Sequence, residues 1–366
     1  MKVMFITLGE INVASTRVRV LEYLPYLKKE KIKFRLFCFP TKSIGSTGRL
    51  YVTGKLLLFK KMLTLPHLLK LLHATISLLW CDLLFIQKTI SFPSAFLSIA
   101  KTLKKKIIYD FDDALFAPWD KKPGNQNSKP KKETEERKKH LFSVIKQADK
   151  IITNTAYNAR SIEKEHSQTP SILLSHVNTT KLTPKKLSEN GRVTIGWIGS
   201  RRNLLYFDVI KNALIRLANK YENISIKIVG AKNYSFDGIS PVCKEWCLED
   251  ELADLHSFDV GIMPLKDDEW TRGKGGFKLL QYMAVGIPSV ASPVGINKTL
   301  VKENLNGFLA SSEDEWVEKL SKLIENESLR RKMGEAGREI AEQNYSIELN
   351  AGKLIGILNK VYNGEK

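Results

Sequence analysis

A chain of 366 residues is too long for one ordinary hydrophobic core and points to two or three domains. With 43% hydrophobic and 27% charged residues it has the make-up of a soluble globular protein rather than a disordered or membrane-embedded one. The net charge of +19 is uneven: residues 1–188 balance at +20 and the remainder at −1. The first half therefore attracts an anionic partner, either nucleic acid or an anionic membrane surface, or else presents a solvated lysine-rich face.

The chain begins with "MKVMFITLGE", which lacks the basic region, long apolar core and cleavage site of a signal peptide and reads as a first β-strand. Further strands are expected at 33–39, 82–87, 105–111 and 150–154, with helical patterns between them. Strand-helix-strand order at this spacing implies a parallel sheet. The most apolar stretch, "LLKLLHATISLLWCDLLFI" (68–86), is interrupted by Lys70, His73 and Asp82, so it reads as a buried helix followed by a strand and not as a membrane span. Residues 118–140 are polar and turn-rich before becoming helical, and begin as a loop.

A polar link, "NTTKLTPKKLSENG" (178–191), separates the halves. The second half restarts the pattern with "RVTIGWIGS" (192–200), a helix near 204–220, strands at 224–230 and 259–265, a short helix from Phe277 to Ala284, and a strand at 288–292. The expected architecture is α/β: two doubly wound, Rossmann-like domains facing a cleft, with residues 1–185 as the first and 186–345 as the second. A helix at about 346–366 is free to pack back on the first.

Ligands of doubly wound sheets bind beyond the carboxyl ends of the strands. Two segments of the second half suit an anion there. "GWIGSRRN" (196–203) is a glycine loop carrying Gly199, Ser200 and Arg201, and "TRGKGGFK" (271–278) brings Arg272, Lys274, Gly275, Gly276 and Lys278 to a helix N-terminus. Backbone N–H groups at such a terminus favour phosphate, and glycines allow a close approach. Lys278 and Gln281 are three apart and share a helical face. Lys278 can neutralise a diphosphate while the Gln281 amide holds ribose hydroxyls; the alternative is a lysine snorkelling to solvent from a core helix. The loop does not match GxGxxG, which counts against a dinucleotide enzyme.

The string "SFDVGIMPLKDDEWTRGKGGFKLLQYMAVGIPSVASPVGINKTLVKENLNGFLA" (257–310) resembles the donor-nucleotide domain of family 4 (group 1) glycosyltransferases, in the branch with a GKxGFKLLQYMAxGxPVVASPVG pattern. The similarity extends through "GWIGS" and "LRRKMGEAGREIAEQNYS"; in the first half "ASTRVRVLEYLPYLKKEKI" (14–32) and "IIYDFDDALF" (107–116) are similar to acceptor-domain segments of the same branch. The resemblance implies the GT-B fold, a nucleotide-sugar donor bound by the second domain, an acceptor bound by the first, and retention of anomeric configuration. Family members usually carry two glutamates eight positions apart, one at the donor sugar and one on the ribose. Here those places align with Gly273 and Gln281.

In "YDFDDA", Asp112 and Asp113 are the candidate catalytic residues, just past a parallel strand; they can orient a sugar hydroxyl, act as a base or hold a cation, or else cap a helix. Asp110, Arg17 and Arg19 are read as acceptor or cleft residues, the arginines meeting a phosphate or an anionic acceptor if they are not surface groups. Six scattered histidines and four cysteines form no metal-ligand cluster, and Cys243 and Cys247 suit neither a zinc knuckle nor a redox pair, so no metal, no cofactor and a reduced, cytoplasmic chain are expected.

The leading reading is a glycosyltransferase acting on a lipid-linked or cell-surface polysaccharide acceptor, such as that of lipopolysaccharide. A nucleotide-sugar 2-epimerase on the same scaffold and a nucleic-acid-binding protein are the rivals. The epimerase has no need of a basic half, and no nucleic-acid motif is present, so nucleic acid is not expected as a partner. The basic, apolar stretch from Lys55 to Trp80, with Lys60, Lys61 and Lys70, is read as a peripheral contact with the inner face of the plasma membrane, or as core helices with a wet basic edge.

Overall fold

The computed structural model describes residues 1–38, 65–88, 94–119, 130–186, 191–236 and 238–365. The chain forms two compact units. Unit 1 holds the chain up to Leu174 together with the segment from Glu348 onward, and unit 2 holds Ser175–Ile347.

Unit 1 is a parallel sheet of β1 (Lys2–Thr7), β2 (Lys33–Cys38), β3 (Leu83–Gln87), β4 (Lys106–Phe111), β5 (Lys150–Thr153) and β6 (Ser171–Ile172), in the order β2-β1-β3-β4-β5-β6. Val3–Ile6, Leu83–Ile86 and Ile107–Tyr109 are essentially inaccessible to solvent. Such unbroken apolar runs belong to a sheet covered on both faces. Phe5 and Phe85, from adjacent strands, put their ring centroids 5.1 Å apart. The helices include α1 (Ala14–Arg19), α2 (Leu24–Lys29), α3 (Leu65–Ser77), α4 (Ser94–Thr102), α5 (Pro130–Ile145) and α6 (Ala156–Glu163). Strand order reverses between β1 and β3, and doubly wound sheets bind their ligands beyond the carboxyl ends of the strands at such a reversal.

Unit 2 contains β7 (Val193–Ile198), β8 (Ile224–Val229), β9 (Val242–Lys244), β10 (Val260–Met263), β11 (Ser289–Ala291) and β12 (Gly307–Leu309), all parallel, in the order β12-β11-β10-β7-β8-β9. This is the dinucleotide-fold order, with its reversal between β7 and β10. A 3₁₀ segment, Arg201–Val209, leads into α7 (Lys211–Lys220); α8 (Glu251–His256), α9 (Glu269–Arg272), α10 (Phe277–Ala284), α11 (Asn297–Leu300), α12 (Glu313–Glu325) and α13 (Glu327–Tyr345) follow. The small residues Gly334, Gly337 and Ala341 on the buried stripe of α13 let that helix pack closely on Gly286 and Met283 at the end of α10. The last helix, α14 (Ile347–Asn363), joins unit 1: Asn350 donates to the Leu174 carbonyl at 2.8 Å and Tyr26 on α2 donates to Glu348 at 2.8 Å.

The longer strands lie where the apolar runs place them. The sequence reading did not find β6, β9 and β12, which have two or three residues each. Segments that short sit at sheet edges and carry no periodicity to read. The expected helix near 204–220 is divided into the 3₁₀ segment and α7.

Candidate nucleotide-binding site

Both glycine loops of unit 2 stand at the carboxyl ends of the two switch-point strands, Gly199 and Ser200 after β7 and residues 264–276 after β10. Their side chains meet. A Cβ built on Gly199 would lie 2.6 Å from Lys278 Cε and 2.8 Å from the Trp197 ring, so only glycine leaves room for the lysine to cross. Lys278 Nζ sits 5.3 Å from the centroid of the Trp197 ring, within reach of a cation–π attraction. Trp197 is itself fixed edge-on against Phe207 with ring centroids 5.5 Å apart. A second link joins the same loops: Lys274 Nζ approaches Asn203 Oδ1 at 3.4 Å and lies 5.6 Å from the Tyr206 ring.

α10 opens at Gly276, which takes φ of 69° at the N-cap; a Cβ there would strike Leu300 at 2.3 Å. The helix thus begins abruptly with its N–H groups directed at the loop, and no side chain caps it. That is the backbone half of an anion site. Lys278 is half-buried and is the second residue of the helix. On the same face Gln281 is 3% exposed and its Nε2 has no hydrogen-bond partner. A buried amide left unpaired costs about 1–3 kcal/mol, so this group awaits an acceptor.

The remaining candidates of this region have local partners. Arg201 reaches the Lys232 carbonyl at 3.5 Å, and Ser200 Oγ accepts from Asn203 at 3.2 Å. Arg272 pairs with Asp267 at 2.6 Å on an exposed surface. Gly275 and buried Gly273 lie between α9 and α10. α9 is held by a reciprocal cap between Asp268 and Thr271.

In unit 1 the acids of "YDFDDA" separate by environment. Asp110, on β4, is fully buried and receives Arg19 Nε at 3.1 Å, with Arg19 Nη2 on its other oxygen; Arg19 also donates to the Leu173 carbonyl. Burial acts to lower the Arg19 pKa, but the Asp110 charge and hydrogen bonds outweigh it and hold the guanidinium above its ordinary range. Arg19 and Asp110 thus satisfy each other inside unit 1, a structural job in place of a face open to ligand. Arg17 is also buried and donates to the Ile11 carbonyl at 3.2 Å.

Asp112 and Asp113 follow β4 at the surface of the sheet end, where Lys88 bridges them. Its Nζ is 2.8 Å from Asp112 Oδ1 and in contact with Asp113 Oδ2. The contact with Asp112 lies off the hydrogen-bond direction, so that oxygen keeps an unused acceptor. Sequence reading passed over Lys88, Trp197, Asn203 and Tyr206. For Lys88 the available signal was a cation directly after a buried parallel strand. Among the described residues no group of three or more His, Cys, Asp or Glu is arranged to hold a metal ion.

Comparison with known proteins bears on this geometry. Residues 251–340, from α8 through most of α13, match the family model of glycosyl transferases group 1. Over 258 residues the chain is 24% identical to the D-inositol 3-phosphate glycosyltransferase of Corynebacterium urealyticum, covering 61% of this chain and 59% of that one. A glycosyltransferase of Haemophilus influenzae is 28% identical over 235 residues, 59% and 63% of the two chains. The chain thus spans about three-fifths of the length of these curated relatives. Sucrose-phosphate synthase from Thermosynechococcus elongatus superposes over 100% of both chains with a TM-score of 0.72 at 12% identity. Anabaena HepE, solved in complex with UDP-glucose, has a TM-score of 0.67 at 13% identity over 98% of this chain and 100% of that one. The chain therefore carries a segment that matches the group 1 glycosyl transferase model, on two parallel-sheet units that match GT-B glycosyltransferase structures in fold.

Proposed function

We propose that the protein is a family 4-type glycosyltransferase that takes a sugar from a nucleoside-diphosphate sugar held at the carboxyl ends of β7 and β10. One observation carries the reading: the uncapped N-terminus of α10, Lys278 over Trp197, and the unpartnered Gln281 amide occupy one helix and its adjoining loop. An anion, a charge to neutralise it and a hydroxyl-rich group beside it describe a nucleotide diphosphate and its ribose. The HepE complex makes a uridine nucleotide the first donor to test. Sugar transfer with retained configuration, without a metal or other cofactor, completes the reading on the donor side.

The acceptor is a glycan or lipid-linked group, met by unit 1 through Asp112 and Asp113 at the cytoplasmic face of the membrane. Support for the membrane comes from α3 and the turn after it. Leu69, Leu72, Ile76 and Leu79 are each more than half exposed and recur at spacings of three, four and three, so they form one apolar stripe. Such a stripe within a strongly basic half suits an anionic lipid surface. Lys60 and Lys61 lie outside the described residues.

Thermal-shift and calorimetric titration with UDP-, GDP- and dTDP-sugars tests the donor assignment, since a ligand stabilises the state it binds. Slow release of nucleoside diphosphate from the stabilising sugar nucleotide is the expected activity. A chain that neither binds nor turns over any of the three contradicts the assignment.

A further inference from the structure

Two neighbouring strands of unit 1 end at the same level. Phe111 and Thr153, the last residues of β4 and β5, are paired across the parallel ladder, so Asp112 and Asn154 are the first residues beyond it on either side. Asn154 is only 1% exposed. Its Nδ2 donates to the Asp112 carbonyl at 2.7 Å, and its Oδ1 accepts from Asn158 Nδ2 at 2.9 Å. A main-chain carbonyl can only accept, so this partner settles which way round the amide stands. Asn158 is buried too, and its N–H donates at 3.1 Å to Thr155 Oγ1, the side chain that caps α6. Thr155 thus does the capping, and the Asn154 amide is left to hold the end of β4.

The segment it holds, Asp112–Ala117, is neither strand nor helix. Ala114, Leu115 and Ala117 are buried, and two tight turns close within it: the Leu115 N–H donates to the Asp113 carbonyl and the Ala117 N–H to the Ala114 carbonyl, both at 2.8 Å. Arg137 on α5 secures the far end, donating to the Leu115 carbonyl at 2.7 Å and to the Ala117 carbonyl. Asn154 secures the near end through the backbone of Asp112 itself. A segment without regular structure has no ladder to fix it, and buried side-chain hydrogen bonds supply the constraint instead.

We infer that Asn154 is a positioning residue of the acceptor site: by holding the Asp112 carbonyl it fixes where the carboxylates of Asp112 and Asp113 stand. This rests on the reading that unit 1 presents those acids to the acceptor. The peptide group is planar, so a carbonyl fixed at Asp112 fixes the plane that contains the Cα atoms of both residues. Without the amide, that plane is free to tilt, and both side chains swing with it. A displacement of about 1 Å at a group that must meet a reacting hydroxyl is enough to cost about 10²-fold in rate.

Two measurements test this, the first being nucleoside diphosphate release from UDP-glucose with water as acceptor. Asn154→Ala should lower kcat by about tenfold or more and leave KM for the donor within about twofold. The same substitution made on top of Asp112→Asn with Asp113→Asn should lower the residual kcat by less than about twofold, because no carboxylate remains to be positioned. Its effect on the urea midpoint should be alike in both backgrounds, since the bond it removes goes to the backbone. An unchanged kcat in Asn154→Ala, or an equal loss in both backgrounds, overturns the assignment. The second measurement is free of substrate. By hydrogen exchange, the amides of Leu115 and Ala117 should exchange at least about tenfold faster in Asn154→Ala than in wild type, with those of β4 unchanged. If Asn154→Ala does not fold, Asn154→Leu with Asn158→Leu carries both measurements, because replacing both amides by apolar groups of similar size is the milder change. Faster exchange in a chain whose wild type releases no nucleoside diphosphate removes the transferase reading and leaves Asn154 as the holder of the turn. Unchanged exchange at Leu115 and Ala117 overturns the proposal whatever the turnover.

Discussion

Lys278 can cross the face of Trp197 only because residue 199 has no side chain: the missing Cβ of Gly199 would stand 2.6 Å from Lys278 Cε. The two glycine loops, separated by more than sixty residues, are therefore one device. Gly199→Ala should displace Lys278 from its position and weaken nucleotide binding nearly as much as Lys278→Ala, which removes a charge-assisted contact of about 1.5–3 kcal/mol. Calorimetry with UDP checks both. Unchanged affinity in Lys278→Ala would remove the lysine from the diphosphate site.

Gln281 offers a test in which stability and binding move in opposite directions. Its buried Nε2 has no partner in the ligand-free chain. Replacing it with leucine removes an unpaired polar group, so the free protein should be as stable as wild type or more stable by about 1 kcal/mol. The nucleotide-induced rise in Tm should shrink. Functional sites are where such local penalties are retained. A Gln281→Leu chain that is clearly less stable and binds nucleotide normally would mean the amide serves packing.

Asp112 and Asp113 should act on turnover and not on donor affinity. At saturating donor, Asp112→Asn and Asp113→Asn should each lower kcat by about 10²-fold, the low end for loss of a general base. The Kd for UDP, whose proposed site lies in unit 2, should stay within about twofold, or about 0.4 kcal/mol. Full turnover in both variants would reduce the pair to a structural role with Lys88.

The buried pair of Arg19 and Asp110 predicts a purely structural phenotype. With both side chains essentially inaccessible, removing one leaves the other charged and without solvent. Arg19→Met or Asp110→Ala should cost about 3–5 kcal/mol in urea unfolding, and the double replacement should recover much of it. Two single losses that simply add in the double variant would contradict the coupling.

Much of this architecture was legible because parallel strands covered on both faces write themselves as unbroken apolar runs, as at Val3–Ile6 and Leu83–Ile86. The helix Phe277–Ala284 was legible from its glycine-rich entry and apolar face. Side-chain partnership was not. "YDFDDA" presents three equivalent aspartates to a reader, yet Asp110, still on β4, pairs with buried Arg19 while Asp112 and Asp113, past the end of the strand, turn to Lys88. Arg19 and Asp110 are 91 residues apart, and no local pattern pairs them. Trp197 looked like core, and it is 98% buried, but its ring also supplies the surface on which Lys278 rests.

The apolar stripe of α3 makes the last prediction. Leu69, Leu72, Ile76 and Leu79 line one side of the helix and its following turn, while Ala74, Ser77 and Leu78 face inward. If the stripe enters a lipid interface, each leucine that is fully buried there contributes about 1.5–3 kcal/mol, and nearby basic residues add about 1 kcal/mol each on an anionic surface. Vesicle co-sedimentation should show binding that requires anionic lipid and falls steeply as salt shortens the range of attraction to about 8 Å at physiological strength. Leu72→Ser with Ile76→Ser should abolish most of it and leave UDP affinity intact, since the proposed nucleotide site belongs to unit 2 and α3 to unit 1. Replacing Lys60 and Lys61 with glutamate should weaken it in proportion to the anionic lipid fraction. Two results exclude the membrane reading: equal binding to neutral vesicles, which removes the electrostatic half, and full binding by the serine variant, which removes the stripe.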